Sequence, residues 1–240
     1  MFSRCCTRLI GHRGFTPLAP ENSLPGFAYA GRLGLWAIET DVRRTKDGSL
    51  VCLHEERVEG QYEGSGAVDA LTLEELRHMR IRKSGATACF SDAEMRMPLL
   101  AEYLEICAKY HAVAFLETKF DGVEQVLREA LKHLPVEQIV LSSLSLEHLS
   151  EARQRNQNVF IHHILSNLEH LETLASWGNS GMSFDIHEER QVPPGLVDRV
   201  HKEGVRVCFR AADSWQTAMW MKRIGLDYLP TNRLTHVEAE

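Results

Sequence analysis

The amino-acid sequence predicts an α/β chain folded as a single (β/α)8 barrel of the TIM type, with a small insertion after its third strand. Three observations carry that expectation. From Val113 onward, short β-leaning apolar runs alternate with amphipathic helical stretches, the pattern of a parallel sheet wrapped by helices. The 240 residues suit one such barrel, because α/β barrels routinely use this length as one domain. Between Glu55 and Met97 the apolar periodicity lapses over a stretch too long for an idle loop. The expected organisation is therefore one domain over residues 1–240, with residues 55–97 as an insertion or lid within it.

In chain order, residues 8–12 form the first expected strand and residues 14–20 a turn. Asn22 or Ser23 caps a helix with Pro25 in its first turn, running to about Leu33, and Gly34 closes it. Residues 36–42 are the second strand, Lys46-Asp47-Gly48 a tight turn, and residues 49–54 the third strand. No helix fits between these two strands, so if both belong to the barrel the chain returns extended. One short helical piece, residues 73–79, interrupts the glycine-bearing stretch that follows. Pro98 opens an amphipathic helix over 99–110, with Leu100, Leu104 and Cys107 spaced for one face. Strands are then expected at 113–117, 139–142, 159–165, 182–186, 205–209 and 228–230. Helices are expected at 123–133, 146–155 (capped by Ser145), 168–177, 195–203 and 215–224. These make nine candidate strands for eight places, so one lies outside the barrel, and which one is left open.

Composition narrows the partners. Lysine and arginine number 27 against 33 aspartates and glutamates, a formal charge of −6. A nucleic-acid partner is not expected, and any anion recognised is small and met by a few placed cations. The chain is 44% hydrophobic and 25% charged, ordinary values for a soluble globular protein, and no apolar run is long enough to span a bilayer. The six cysteines form no C-x-x-C pair, and residues 1–10 carry two arginines without the apolar core of a secretory signal. Free thiols and a cytoplasmic location are the expectation.

The chemistry gathers at expected strand ends. Glu39 and Asp41 stand two apart in one strand, which sends both carboxylates to the same face. In a barrel of this kind the active site lies at the C-terminal ends of the strands, where His12, Asp41, His54 and Glu117 fall. Two carboxylates from one strand and a third from another suit one oxygen-liking divalent cation, Mg²⁺ or Ca²⁺, rather than zinc. A surface ion pair is the plain alternative for Glu39, but its neighbours Trp36, Ala37, Ile38 and Val42 are a poor setting for unpaired charge. With 12 histidines present, a lone one would be an ordinary structural histidine. His12 and His54, at strand ends beside Arg13 and Glu55, read instead as a proton-transferring pair. Arg13 and Lys119, next to the carboxylates, read as clamps on phosphate oxygens.

The stretches Ile10-Gly11-His12-Arg13-Gly14, Ala19-Pro20-Glu21-Asn22-Ser23, Ile38-Glu39-Thr40-Asp41-Val42, Thr45-Lys46-Asp47-Gly48, His54 and Leu116-Glu117-Thr118-Lys119 carry a resemblance. In that order they resemble the glycerophosphodiester phosphodiesterase family, one of the phospholipase-C-like phosphodiesterase barrels. Leu141-Ser142-Ser143-Leu144-Ser145 is similar to its following strand, and Gly225-Leu226-Asp227 with Thr231-Asn232 to its closing motif. The resemblance implies divalent-metal-dependent hydrolysis of glycerophosphodiesters to sn-glycerol 3-phosphate and an alcohol. It implies Glu39, Asp41 and Glu117 as metal ligands, His12 and His54 as the acid–base pair, and Arg13 and Lys119 as phosphate contacts. Glu21 and Asn22 would help shape the site, and Mn²⁺ is a further admissible metal. The chain departs from the family at Glu55, where Asp is usual, and at Gly60-Gln61-Tyr62, where an Arg followed by threonines is common. It departs again at Asn232, usually Asp, and at Cys208-Phe209-Arg210-Ala211, usually Trp-Thr-Val-Asn.

Three rivals stand beside this reading of the residues. A lysophospholipase D-type phosphodiesterase on the same barrel would need an apolar groove for an acyl chain, and residues 55–97 show no clear apolar face. A catalytically silent phosphate-ester-binding module would not require both histidines and all three carboxylates. A metal-dependent sugar isomerase or aldolase leaves the pair Arg13 and Lys119 unexplained. Which histidine is acid and which base, and whether water or a substrate hydroxyl attacks, are left open at this stage.

Overall fold

The computed structural model describes residues 8–82, 87 and 89–237. Among these, nine strands succeed one another: β1 (Arg8–Gly11), β2 (Ala37–Arg44), β3 (Leu50–Cys52), β4 (Val113–Thr118), β5 (Ile139–Ser143), β6 (Phe160–His163), β7 (Ser180–Ser183), β8 (Arg206–Cys208) and β9 (Tyr228–Thr231). Eight of them run in parallel in the order β8-β7-β6-β5-β4-β2-β1-β9. The ring is drawn together between its two end strands by Asp227 N–H donating to Val207 O at 3.0 Å. Helices α1 (Leu24–Arg32), α2 (Leu73–His78), α3 (Leu100–Tyr110), α4 (Val123–His133), α5 (Leu146–Arg155), α6 (Leu171–Trp177), α7 (Leu196–Lys202) and α8 (Trp215–Arg223) complete the chain.

Local chemistry sets the element ends. Ser23 Oγ accepts from Gly26 N–H and Pro25 occupies the first turn of α1, while Ser145 and Ser214 cap α5 and α8 in the same way. Residues 37–42 of β2 are buried without interruption, as a strand covered on both faces must be. Alternate residues divide the core into two layers. Ile10, Ala37, Val113, Phe115, Val140, Phe160 and Tyr228 fill the inside of the barrel. Ile38, Ala114, Leu116, Leu141, Ile161 and Val207 pack outward against the helices. Across that outer layer Tyr103 of α3 donates its hydroxyl to Ile38 O at 2.6 Å and meets the edge of Phe27 at 4.8 Å. Such an aromatic pair adds ~0.5–1.5 kcal/mol beyond the area it buries.

One open point is settled and one expectation is corrected. The strand outside the barrel is the third: β3 pairs antiparallel with β2, Val42 opposite Cys52 and Arg44 opposite Leu50. The turn at Thr45 to Ser49 closes a hairpin, with Gly48 at φ +83° and Thr45 N–H bonded to Ser49 O at 2.9 Å. The seventh strand lies over Ser180–Ser183 rather than 182–186. Its first half is small because a Cβ on Gly181 would sit 2.2 Å from the Tyr228 hydroxyl, so the apolar signal starts late.

Residues 55–97 carry their own apolar cluster, in which Val58, Tyr62, Val68, Leu76, Ile81, Met95 and Met97 close on Val51 and Leu53. The segment leans on the β2–β3 hairpin through Lys46 N–H to Leu71 O (2.9 Å) and on α3 through Arg77 and Arg96, both paired with Glu102. Cys52, Cys89, Cys107 and Cys208 are free thiols, whereas Cys5 and Cys6 lie outside the described residues. No helix among the described residues is long and apolar enough to cross a membrane.

Candidate active site

The C-terminal mouth of the ring brings together all seven residues singled out from the sequence. Glu39 and Asp41 rise from β2, 7% and 1% exposed, and Glu117 stands opposite Asp41 in the register of β4. One oxygen from each of these carboxylates lies within 4.8 Å of the others. Arg13 takes a left-handed backbone (φ +56°), which aims its N–H at Glu39 Oε2, 2.8 Å away. Its guanidinium reaches Glu21 at 3.0 Å and Asp41 at 3.4 Å. Asn22, also left-handed (φ +45°), donates to Asp41 Oδ2 at 2.9 Å and accepts from Thr40 Oγ1 at 2.7 Å. Two non-glycine residues held in this sparsely populated region beside one carboxylate are the kind of local strain that collects at functional sites. Lys119 bonds Glu117 and faces Asp41 Oδ1 at 3.1 Å.

Burial and mutual repulsion set the charges. Burial, then the neighbouring Asp41 and Glu117 charges, push Glu39 well above the usual carboxylate range. Burial also lifts Glu117, Lys119 pulling against it and the Asp41 charge adding to it. Burial works to raise Asp41 too, but Lys119, the Asn22 hydrogen bond and Arg13 together hold it below its ordinary value. Three hard oxygen donors that repel one another inside a protein fit a divalent cation, which would satisfy and neutralise them.

The histidines are mounted differently. His12 follows β1, with its N–H bonded to Thr231 O at 2.9 Å. Its Nδ1 lies 2.9 Å from Asn232 Oδ1, and Asn232 Nδ2 donates to Asp213 Oδ2 at 2.6 Å. The carboxylate needs the amide's NH₂, so the amide oxygen faces His12 and Nδ1 carries the proton. Nε2 is then the free lone pair. Burial, opposed by the Asn232 bond, lowers the His12 pKa, so the ring stays neutral at pH 7. His54 arrives from the other direction, on the chain leaving β3, because the antiparallel hairpin returns it to the level of Asp41. Leu53 N–H bonds Asp41 O at 3.0 Å, and Arg43 Nη2 holds the His54 carbonyl at 2.7 Å. Its Nδ1 meets Glu55 Oε1 at 2.9 Å.

These groups open into a cavity of about 270 Å³. One wall is lined by ionisable side chains: His12, Arg13, Glu39, His54, Glu117 and Lys119. The other comes from the ends of β5 to β8, with Ser142, Leu144, His162, Leu165, Phe184, Cys208 and Phe209. Leu144 and Leu165 are 56% and 41% exposed on its rim. No described residue between 55 and 97 lines this cavity; the segment reaches the site at Glu21, whose carbonyl accepts from Gln61 Nε2 at 2.6 Å. The sequence reading named Asn232, Ser142, Leu144, Cys208 and Phe209 only within family motifs and gave them no role; Asp213 behind His12, and His162, Leu165 and Phe184 on the β5–β8 wall, it did not foresee. Those residues share no local spacing, so only the strand register could have found them.

A parallel barrel with acidic, basic and imidazole groups converging at one mouth is the layout of an enzyme acting on a phosphate ester. The chain belongs to the glycerophosphoryl diester phosphodiesterase family, whose model matches residues 12–236. It is 30% identical over 237 residues to a glycerophosphodiester phosphodiesterase of Caldanaerobacter subterraneus subsp. tengcongensis, covering 94% of each chain. It is 29% identical over 171 residues to one of Bacillus subtilis strain 168, covering 62% of this chain and 56% of that one. An Oleispira antarctica phosphodiesterase, solved in complex with the product sn-glycerol-3-phosphate, shares the fold with a TM-score of 0.82 at 21% identity, over 95% of this chain and 94% of that one. A glycerophosphodiester phosphodiesterase of Agrobacterium tumefaciens strain C58 gives 0.81 at 21% identity, over 95% and 97%.

Proposed function

We propose that this protein hydrolyses glycerophosphodiesters to sn-glycerol 3-phosphate and an alcohol, in a reaction that depends on a divalent cation, Mg²⁺, Ca²⁺ or Mn²⁺. The observation that carries it is the convergence of Glu39, Asp41 and Glu117 within 4.8 Å, flanked by Arg13 and Lys119, in a member of this family. Glu39, Asp41 and Glu117 would hold the cation, which would supply positive charge to offset that of the phosphate. Arg13 and Lys119 take the remaining phosphate oxygens and orient the diester. His12, neutral and with Nε2 open, removes the proton from the attacking hydroxyl. His54 then protonates the departing alkoxide. The 55–97 segment is an insertion in the single barrel domain that flanks the mouth on its Glu21 side. A cytoplasmic location belongs to the same reading, supported by the free thiols.

The test is incubation with a panel of glycerophosphodiesters and Mg²⁺ or Ca²⁺, with coupled detection of glycerol 3-phosphate. Release that EDTA stops and added cation restores is expected. Absence of release from every member of the panel would remove this function.

One observation favours a second reading, a lysophospholipase D-type phosphodiesterase. No described residue of 55–97 lines the cavity, so that segment does not supply the apolar groove such a substrate needs, but Leu144, Leu165, Phe184 and Phe209 line an apolar stretch of the β5–β8 wall. Hydrolysis of lysophosphatidylcholine ahead of glycerophosphocholine would favour it.

A further inference from the structure

The row of side chains that contains two of the carboxylates continues beyond them. Asp41 is in register with Glu117, Glu117 with Ser142, and Ser142 with His162, across the adjacent strands β2, β4, β5 and β6. Register partners in a parallel sheet share a face, so all four side chains face into the barrel. Along this row the chemistry turns from charged to neutral. Ser142 is 1% exposed, lines the cavity, and its Oγ has no hydrogen-bond partner within the chain. A buried hydroxyl is costly to leave unpaired, and one aimed into a cavity points to a ligand group.

His162 is the neighbouring feature. It is 2% exposed, its ring stands edge-on to Phe115 at 5.3 Å, and its Nδ1 is tied to the Tyr228 hydroxyl at 2.7 Å. Gly181 makes that tie geometrically allowed, since any Cβ there would meet the tyrosine oxygen. With Nδ1 engaged, Nε2 has Cys208 Sγ at 4.0 Å, a weak partner. Burial pushes the His162 pKa down to about 3, so the ring is neutral. A serine hydroxyl and a neutral imidazole nitrogen do not match an anion or a cation. They match a group that both donates and accepts, which is a hydroxyl.

We infer that Ser142 Oγ and His162 Nε2 hold the terminal hydroxyl of the substrate's glycerol, and so select a free glycerol end over an esterified or deoxygenated one. This inference rests on the glycerophosphodiester reading. The phosphate belongs beside Arg13, Lys119 and the carboxylates; Ser142 and His162 stand one and two strands farther, roughly 5 and 10 Å from Glu117 at strand spacing. The terminal hydroxyl is the glycerol group most distant from phosphorus. An ester on that oxygen removes the donor and adds bulk where both side chains are fully enclosed.

The experiment is equilibrium binding to the Mg²⁺-loaded protein of three phosphate monoesters: sn-glycerol 3-phosphate, 2-hydroxypropyl phosphate (no terminal hydroxyl) and 3-hydroxypropyl phosphate (no middle hydroxyl). Wild type is expected to bind glycerol 3-phosphate ~10-fold more tightly than 2-hydroxypropyl phosphate, the scale of one good hydrogen bond. Ser142→Ala should erase that preference while leaving 2-hydroxypropyl phosphate affinity unchanged, and should still weaken 3-hydroxypropyl phosphate. His162→Phe should act in the same direction; Ser142→Ala decides the matter if the larger change disturbs folding. Equal affinities in wild type, uniform weakening of all three ligands by Ser142→Ala, or binding of none of them overturns the inference. Turnover is a separate readout: a protein that keeps the terminal-hydroxyl preference but releases no glycerol 3-phosphate from diesters retains this contact and loses the proposed function.

Discussion

The two walls of the cavity are built on different terms. On the β1–β2–β4 side nearly every polar group is braced by another: Arg13 between Glu21 and Asp41, Asn22 under Asp41, and Lys119 between Asp41 and Glu117. On the β5–β8 side Ser142 stands singly, His162 is tied to Tyr228 and to no charged group, and Phe184 lies beside Phe209. Charges packed at close range must be cross-linked or they repel, which demands particular residue types at short spacing. A surface that only chooses among substrates needs one shaped position per strand. The first wall therefore writes motifs into the chain, and the second does not.

Removal of a carboxylate should test the braced wall hardest. Glu39→Ala is expected to lower kcat/KM at least ~10³-fold, about 4 kcal/mol of barrier, while the circular dichroism spectrum is unchanged. Near-normal turnover by this variant, or by protein stripped with EDTA, would mean that the cluster has another purpose.

The histidines come next. Either His→Ala change should cost ~10²–10⁴-fold on a poor leaving group. With a p-nitrophenyl ester the His54→Ala loss should shrink, since the phenolate hardly needs a proton, and the His12→Ala loss should persist. The reverse asymmetry would exchange the two roles. Because burial lowers His12, its neutral form survives below the ordinary histidine value of 6.5, and the acid limb of kcat/KM in wild type should lie below that pH.

A stability measurement sharpens the contrast without any turnover. Glu39 has a raised pKa in the folded chain, so its contribution to stability is full below the unfolded value near 4.5 and is lost as pH rises through the folded value. Glu39→Gln should therefore raise the Tm of metal-free protein at pH 7 by roughly 2–4 °C, the equivalent of about 1 kcal/mol in a chain of this size. At pH 4 the gain should vanish. The same change should remove the Tm increase that Mg²⁺ or Ca²⁺ produces in wild type. A variant that still responds to the cation as wild type does would place the ion elsewhere.

The smallest effect belongs to the unbraced wall. Leu144→Ser should leave glycerophosphocholine hydrolysis within about 2-fold, the behaviour of an exposed rim residue. If hydrolysis of lysophosphatidylcholine falls ~10-fold instead, the rim binds an acyl chain and the second reading gains.

What could be read from the chain follows the same division. The strand over residues 36–42 was legible because alternation puts Glu39 and Asp41 on one face, and a wholly apolar setting makes their charge conspicuous. His54 was legible as a candidate site residue but not as the end of a hairpin, since an antiparallel return and a parallel strand have the same apolar pattern over three residues. The start of β7 was hidden because Gly181 answers to Tyr228, a partner 47 positions away in the numbering of the chain. Ser142 enters the sequence only inside a family motif that gives it no role, and His162 carries no signal of its own; each becomes significant only when the register continues the row from Glu117.

The hairpin has a mechanical consequence. His12 is fixed to the frame of the barrel, whereas His54 rides on an arm of three paired residues that also bears the apolar cluster of residues 55–97. Opening that arm breaks the Leu53 N–H to Asp41 O bond and withdraws one proton carrier while the ring of parallel strands stays whole. Amide hydrogen exchange should record this as a low-energy opening at Leu53, well ahead of the amides buried in β2 and β4. A ligand that presses on the outlying segment would then act on the reaction as a hand acts on a hinge, from outside the frame.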